Sequence, residues 1–237
     1  GSPTSSRSVG NIISGNTIRV ASSLSAGASI VGIIGISLFT IGAYGPENNV
    51  VSDNSIIGTG NFKTVCVFIN ANRNVIRNNS IVWSGNSIAN QHGMTFYVEA
   101  GGVCKDNSIS GNTMDGVTGI GFYFSNLCGR QTISGNTILN CGSHGIFNDS
   151  GTCNGSLIFG NYATGCTGVG IHLQNFGTSS LVYGNKATGN TGGNFIAFTG
   201  LPLEINGSSS LTYGPTGNVG IGTVAPSSIL HIKTVAG

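Results

Sequence analysis

Ile133-Ser134-Gly135-Asn136-Thr137-Ile138 is one copy of a short motif that recurs along most of this chain of 237 residues. Each copy joins two short runs through a pair of small or polar residues, and the second residue of the pair is always asparagine. The aligned asparagines, which are 38, 25, 28, 29, 25 and 24 residues apart, are Asn16, Asn54, Asn79, Asn107, Asn136, Asn161 and Asn185. A period near 25 residues, with strand-like alternation and no helical stretch, predicts a β-solenoid.

The recurrent asparagine has a structural use in such a solenoid. Its side-chain amide can bond to the amide at the same position one coil away, at the spacing of about 4.8 Å between neighbouring strands. The residue before it is Gly, Asp or Asn in every copy, and these three types tolerate a left-handed backbone best. We therefore expect a turn at this point of each coil.

The composition agrees with many short strands and excludes other classes of protein. Charged residues are 7% of the chain, glycine occurs 40 times and the formal net charge is +2. Disordered chains are more charged, collagen needs a strict glycine triplet, and nucleic-acid binding needs a basic cluster that this sequence lacks. The uncharged stretch 26–43 contains four glycines, so we interpret it as a buried strand with its turns and expect no membrane insertion. The first residues are polar and show no signal peptide.

The repeat resembles the parallel β-helix repeat of pectate-lyase-like proteins and virus tail spikes, over about residues 9–200. This resemblance implies an all-β, right-handed parallel β-helix of about seven or eight coils. We place it in residues 1–200 and expect a small β-rich cap or trimerisation segment in residues 201–237. The resemblance fits the fold closely and transfers no catalytic residue.

The C-terminal stretch carries a second resemblance. Residues 215–223 read Pro-Thr-Gly-Asn-Val-Gly-Ile-Gly-Thr, and Pro226 and an alternating segment at 229–232 follow. This is similar to a segment near the ends of phage tail fibres and spikes, where it forms an intertwined trimeric cap, often before a self-cleaved chaperone. It implies a homotrimer in the virion tail, made in the host cytoplasm, that recognises host surface polysaccharide. A bacterial surface β-helix is the alternative.

A second strand is predicted about 12 residues after each asparagine, in sets that begin at residues 67, 96, 122, 146, 171 and 196. Alternation turns the second and fourth residue of each set outward. The two outward columns are then Phe68, Tyr97, Tyr123, Phe147, His172 and Ala197, and Asn70, Glu99, Ser125, Asp149, Gln174 and Thr199. Outward rings stack on sugar faces, so the candidate carbohydrate-binding residues are Phe68, Tyr97, Tyr123, Phe147, His172 and Gln174. Packing against a neighbouring subunit is the alternative use of the same rings.

Glu99 and Asp149 are the candidate catalytic residues. They fall in the same predicted outward column, two coils apart, and the resulting separation of about 9.6 Å lies near the upper limit for an inverting glycosidase. A glycosidase or lyase acting on capsule or O-antigen, a polysaccharide depolymerase, is therefore the alternative to passive binding, and the sequence leaves the choice open. Asp53 and Asp106 precede the aligned asparagines and are interpreted as turn residues, as are His92 and His144, which precede glycines.

The six cysteines are 66, 104, 128, 141, 153 and 166. Cys128 and Cys153 are 25 residues apart, as are Cys141 and Cys166, so each pair falls in one column of adjacent coils. That spacing permits disulfides. A reducing cytoplasm instead favours a ladder of buried thiols. No CxxC motif occurs, and we expect neither a metal site nor a cofactor.

Overall fold

The computed structural model describes residues 9–21, 36–38, 45–59, 64–84, 92–99, 102–125, 128–149, 153–173 and 179–197, and three short strands beyond them. The chain is an all-β, right-handed parallel β-helix, as the repeat predicts. Its three parallel sheets contain eight, seven and seven strands, which corresponds to about seven coils. In the described residues, no helix is long and apolar enough to cross a membrane.

Each coil contributes one strand to each sheet. The first sheet contains β1 (Ile12–Ser14), β4 (Val50–Ser52), β7 (Val75–Arg77), β10 (Ser108–Ser110), β13 (Thr132–Ser134), β16 (Leu157–Phe159), β19 (Leu181–Tyr183) and β22 (Leu203–Glu204). The second contains β2 (Thr17–Ala21), β5 (Ser55–Thr59), β8 (Ser80–Trp83), β11 (Thr113–Asp115), β14 (Thr137–Leu139), β17 (Tyr162–Thr164) and β20 (Lys186–Thr188). The third contains β3 (Ser37–Leu38), β6 (Thr64–Ile69), β9 (His92–Tyr97), β12 (Phe122–Phe124), β15 (Ile146–Asn148), β18 (Ile171–Leu173) and β21 (Phe195–Ala197).

Most of the predicted C-terminal segment 201–237 lies outside the described residues. β22 extends the first sheet by pairing with β19. Two further strands, β23 (Val219–Ile221) and β24 (Leu230–Ile232), pair in parallel with each other. The domain boundary near residue 200 and the trimerisation role of this segment stay predictions.

A buried asparagine ladder occupies the turn between the first and second sheets. At each step the side-chain oxygen of one asparagine accepts both the backbone N–H and the side-chain N–H of the asparagine one coil before it. The ladder runs through Asn16, Asn54, Asn79, Asn112, Asn136, Asn161 and Asn185. The preceding residues have a left-handed backbone, for example Asp53 with φ 57° and Gly135 with φ 59°. The predicted turn is therefore confirmed.

One member of the predicted ladder is wrong. Asn107 does not lie between Asn79 and Asn136, because Asn79 donates to Asn112 and Asn112 donates to Asn136. Asn107 belongs to a separate ladder, one turn earlier in the coil, that contains Asn11, Asn49, Asn74, Asn107, Gln131, Ser156 and Ser180. Both turns place a left-handed residue before the stacked one, so motifs five residues apart look alike in sequence.

The core is a continuous column of buried apolar side chains between the three sheets. Its isoleucines stack in register, as Ile76, Ile109 and Ile133 do in the first sheet. In the third sheet, the Phe96 ring stacks on Phe68 at 4.8 Å and on Phe124 at 4.9 Å between ring centroids. Stacking in register lets each coil bury the apolar face of the next.

All six cysteines are buried and free, so the predicted buried thiols are confirmed. Cys104 joins the column of Cys128 and Cys153, since each lies three residues before the stacked residue of the earlier turn. Burial raises the pKa of Cys66 and of Cys153 to about 12. A thiol of such high pKa carries almost no thiolate at neutral pH.

We expect the six thiols to be unreactive towards Ellman's reagent at pH 8 while the protein is folded. The reagent must reach the sulfur atom, and all six side chains are buried. This includes Cys166, although its hydrogen bond with Cys141 lowers its pKa. The measurement is the thiol count released before and after addition of guanidinium chloride. Rapid release of even one thiol equivalent from the folded protein would contradict the burial of these side chains.

Candidate functional site

An outward column of aromatic rings lies on the third sheet. Strand pairing places Thr95, Tyr123, Phe147, His172 and Ile196 at the same register in successive coils. The rings of Tyr123 and Phe147 stack with centroids 6.2 Å apart, and those of Phe147 and His172 lie 5.0 Å apart. These three side chains are half-buried, so the outward orientation predicted for them is confirmed.

The predicted register is wrong at both ends of this column. Phe68 is fully buried and pairs with Phe96, so it faces the core and offers no exposed ring to a sugar. Tyr97 is half-buried in the neighbouring outward column, opposite Ile69. At the other end Ile196 takes the outward position expected for Ala197. Phe96 pairs with Phe124, and Phe122 pairs with Met94. Because Phe122 and Phe124 are both buried phenylalanines, the sequence pattern does not show which of them is level with Phe96.

Two histidines complete the ring column. His144 lies 4.6 Å from Phe147 and His92 lies 4.5 Å from Tyr123, measured between ring centroids. The Nδ1 atom of His144 accepts the backbone N–H of Val169, and that of His92 accepts the backbone N–H of Ile120. Burial lowers the pKa of His144, so its ring stays neutral at physiological pH. We call His92, Tyr123, His144, Phe147 and His172 the ring face.

Both histidines stand where the chain enters the third sheet. The interpretation as turn residues is wrong for His92, which is the first residue of β9, whereas His144 lies two residues before β15. The next residue after each is a glycine packed against the following coil. A Cβ at Gly145 would lie 2.3 Å from the carbonyl oxygen of Gly170, so only glycine fits there. The sequence shows the His-Gly pairs, but it does not show that their rings stack beside Tyr123 and Phe147.

Asp149 is an exposed carboxylate at the edge of the ring face. It accepts a hydrogen bond from the Tyr123 hydroxyl. Burial first, and then the bond to Asp149, raise the pKa of Tyr123 to about 12. Tyr123 is therefore a neutral donor that holds the carboxylate beside the rings.

The Asp149→Asn substitution is expected to bring the pKa of Tyr123 below about 12 but to leave it above the ordinary value of 10.0, because burial, the larger cause, remains. Since folding raises this pKa, the stabilisation by Tyr123 is complete below pH 10 and is lost as the pH rises through about 12. Titration of the tyrosine Cζ resonance by ¹³C NMR measures the pKa. An unchanged value in the variant would show that the carboxylate does not act on Tyr123.

Glu99 and Asp149 do not share a column. Phe96, Phe124 and Asn148 are paired in register, so Asp149 follows in the column of Tyr97 and Ser125. Glu99 lies two residues beyond Tyr97, where its backbone N–H donates to the Asn70 side chain. The geometric basis for a carboxylate pair about 9.6 Å apart is therefore removed. Gln174 and Thr199 lie outside the described residues.

A family model described as "Periplasmic copper-binding protein (NosD)" matches residues 6–200. The chain belongs to the NosD family. The matched range covers the β-helix and ends where the regular coils end. Comparison with curated proteins found no match to the chain, and comparison with solved structures found none either.

Metal-binding side chains are not clustered in the described part of this NosD-family chain. No group of three or more His, Cys, Asp and Glu residues there could hold a metal ion. The cysteines face the core, and the Nδ1 atoms of His92 and His144 already accept backbone N–H groups. The ring face instead combines apolar ring surface with a carboxylate and imidazole nitrogens, which suits a ligand with both C–H and O–H groups.

Proposed function

We propose that the ring face binds a polysaccharide. The observation that carries this proposal is the stack of outward, half-buried rings on three successive coils, with the Asp149 carboxylate at its edge. Sugar rings present C–H faces that pack on aromatic surface, and hydroxyl groups that need charged or polar partners. The coil spacing of about 4.8 Å makes the rings a regular track, which suits a repeating polymer.

We further propose that the chain is the distal part of a homotrimeric phage tail spike or fibre, located in the virion tail, that recognises host surface polysaccharide. The support is the C-terminal segment at 215–232, which is similar to trimeric caps of such proteins, and the long rigid β-helix before it. A cyclic assembly is usual for homo-oligomers. The NosD family match supports a β-helix protein and is compatible with this role.

Copper binding, which the family description names, is the second candidate function. A copper site needs several nitrogen or sulfur ligands directed at one point. The described residues provide no such group, and the thiols that would attract copper(I) are buried in the core. The donor set of the described residues therefore does not fit copper.

The experiment is to titrate the purified protein with capsular polysaccharide and lipopolysaccharide from candidate hosts in a calorimeter. The same mixtures are then examined for released oligosaccharides by mass spectrometry. We expect binding of at least one polymer, which stays intact. Fragments cut at one linkage, absent with Asp149→Asn, would make the protein a polysaccharide depolymerase. Failure to bind any glycan would contradict the proposal.

A further inference from the structure

A cavity of about 310 Å³ opens at the corner where the third sheet leads into the first sheet of the next coil. Its lining residues are Val103, Lys105, Gly129, Arg130, Asn154, Gly155 and Ser179. They come from consecutive coils, because the backbone N–H of Arg130 donates to Asn154 and that of Gly155 donates to the Ser179 hydroxyl oxygen. This corner is separate from the ring face.

Charged residues are concentrated at this corner, although the chain contains few. Five of the sixteen Lys, Arg, Asp and Glu residues of the chain lie here, namely Glu47, Arg73, Lys105, Asp106 and Arg130. Arg73 pairs with Glu47, and Arg130 pairs with Asp106 through two hydrogen bonds of 2.6 and 2.7 Å. Lys105 adds one further positive charge, so the group carries a net charge of +1.

The cavity is lined on one side by Val103 and Lys105, from the coil of Asp106, and on the other by Asn154, Gly155 and Ser179, with Arg130 between them. In the following coils the position equivalent to Arg130 is occupied by Gly155 and then Ser179, and no carboxylate lines the cavity. Gly155 has a left-handed backbone with φ 67°, so the glycine both allows the turn and leaves space where other coils carry a side chain. Lys105 and Arg130 both border the cavity beside Gly155.

The lining chemistry suits one kind of ligand group. Lys105, the remaining N–H groups of Arg130 and the hydroxyl of Ser179 are donors, and oxyanions accept such bonds with additional charge assistance. Val103 is 43% exposed and offers an apolar wall for the C–H face of a ring. A small anionic ring compound meets both requirements.

We propose that this cavity is a subsite for the carboxylate of an acidic sugar unit, held between Lys105, Arg130 and Ser179. This inference rests on the proposed polysaccharide function and adds to it a preference for acidic glycans. The ring face contacts the neutral part of the polymer, and this corner selects the charged unit.

The test follows the backbone amide resonances of Gly129 and Gly155 by NMR during titration with glucuronate and, separately, with glucose. We expect glucuronate to shift both resonances and glucose to leave them unchanged. Lys105→Gln should weaken the glucuronate affinity by about tenfold or more, the effect of losing a charge-assisted bond. Lys186→Gln is the matched control, because Lys186 lies over the Tyr162 ring on the second sheet and should change nothing.

Three outcomes would overturn the inference: no shift with glucuronate, equal shifts with glucose, or the same affinity in Lys105→Gln. Inorganic sulfate bound as tightly as glucuronate would also overturn it, since the cavity would then hold any free oxyanion. The glucuronate titrations do not depend on the ring face. If the ring face does not bind polysaccharide, Phe147→Ala will leave the polysaccharide affinity unchanged. Each proposal can therefore fail without the other.

Discussion

Asn136→Ala is expected to lower the free energy of unfolding by roughly 3–5 kcal/mol, because each buried polar group left without a partner costs about 1–3 kcal/mol. The Asn136 side chain makes four hydrogen bonds of 2.9–3.0 Å. It accepts two from Asn112 and donates to the Ile109 carbonyl oxygen and to Asn161. Alanine can replace none of them, and the site is fully buried.

Asn16→Ala is the matched control, since Asn16 is the exposed first member of the same ladder. Water can satisfy the groups that it leaves, so the loss should stay below about 1 kcal/mol. Urea unfolding followed by circular dichroism measures both values. Equal effects of the two substitutions would show that the ladder does not stabilise the coils through buried hydrogen bonds.

Phe96→Ala is expected to destabilise the protein by about 3–5 kcal/mol, the usual cost of truncating a buried phenylalanine. The Phe96 ring is fully buried and is stacked between the rings of Phe68 and Phe124. Its removal leaves a cavity between two coils and also removes two ring contacts. Because the backbone pairing of neighbouring strands holds those coils in place, we expect only partial collapse of the cavity.

Phe159→Ala provides the comparison for Phe96→Ala. Phe159 also stacks on another ring, that of Tyr183 at 5.1 Å, but it is half-buried on the outer side of the first sheet. Its truncation should cost about 1 kcal/mol, a value typical of a partly exposed site. A loss for Phe96→Ala no larger than that for Phe159→Ala would contradict the core position of Phe96.

The sequence predicted the fold because one feature of it repeats. Asn136 and its equivalents recur with a left-handed residue before them, and this combination is needed only where a stacked turn recurs. The pattern is ambiguous where two turns use the same residue types, so it predicts Asn107 at the ladder position that Asn112 occupies. The ladder that continues through Gln131, Ser156 and Ser180 changes residue type and gave no repeat to detect.

The candidate site was only partly predictable. Tyr123, Phe147 and His172 follow simple alternation within three-residue strands. β6 and β9 have six residues each, so alternation allowed two registers, and aromatic residues fit either. The positions of His92 and His144 in the ring face, and of Lys105 in the cavity, depend on contacts between coils. A sequence period of about 25 residues does not specify those contacts.

The most direct test of polysaccharide binding by the ring face is the affinity of Phe147→Ala for a glycan that the unmodified protein binds, with Phe159→Ala as control. Both substitutions remove a half-buried ring from the outer surface, but only Phe147 belongs to the ring face. Calorimetry should give a dissociation constant raised roughly 10- to 50-fold for Phe147→Ala, about 1.4–2.3 kcal/mol, and one within twofold of the unmodified protein for Phe159→Ala. Equal affinities of the two variants would contradict polysaccharide binding by the ring face.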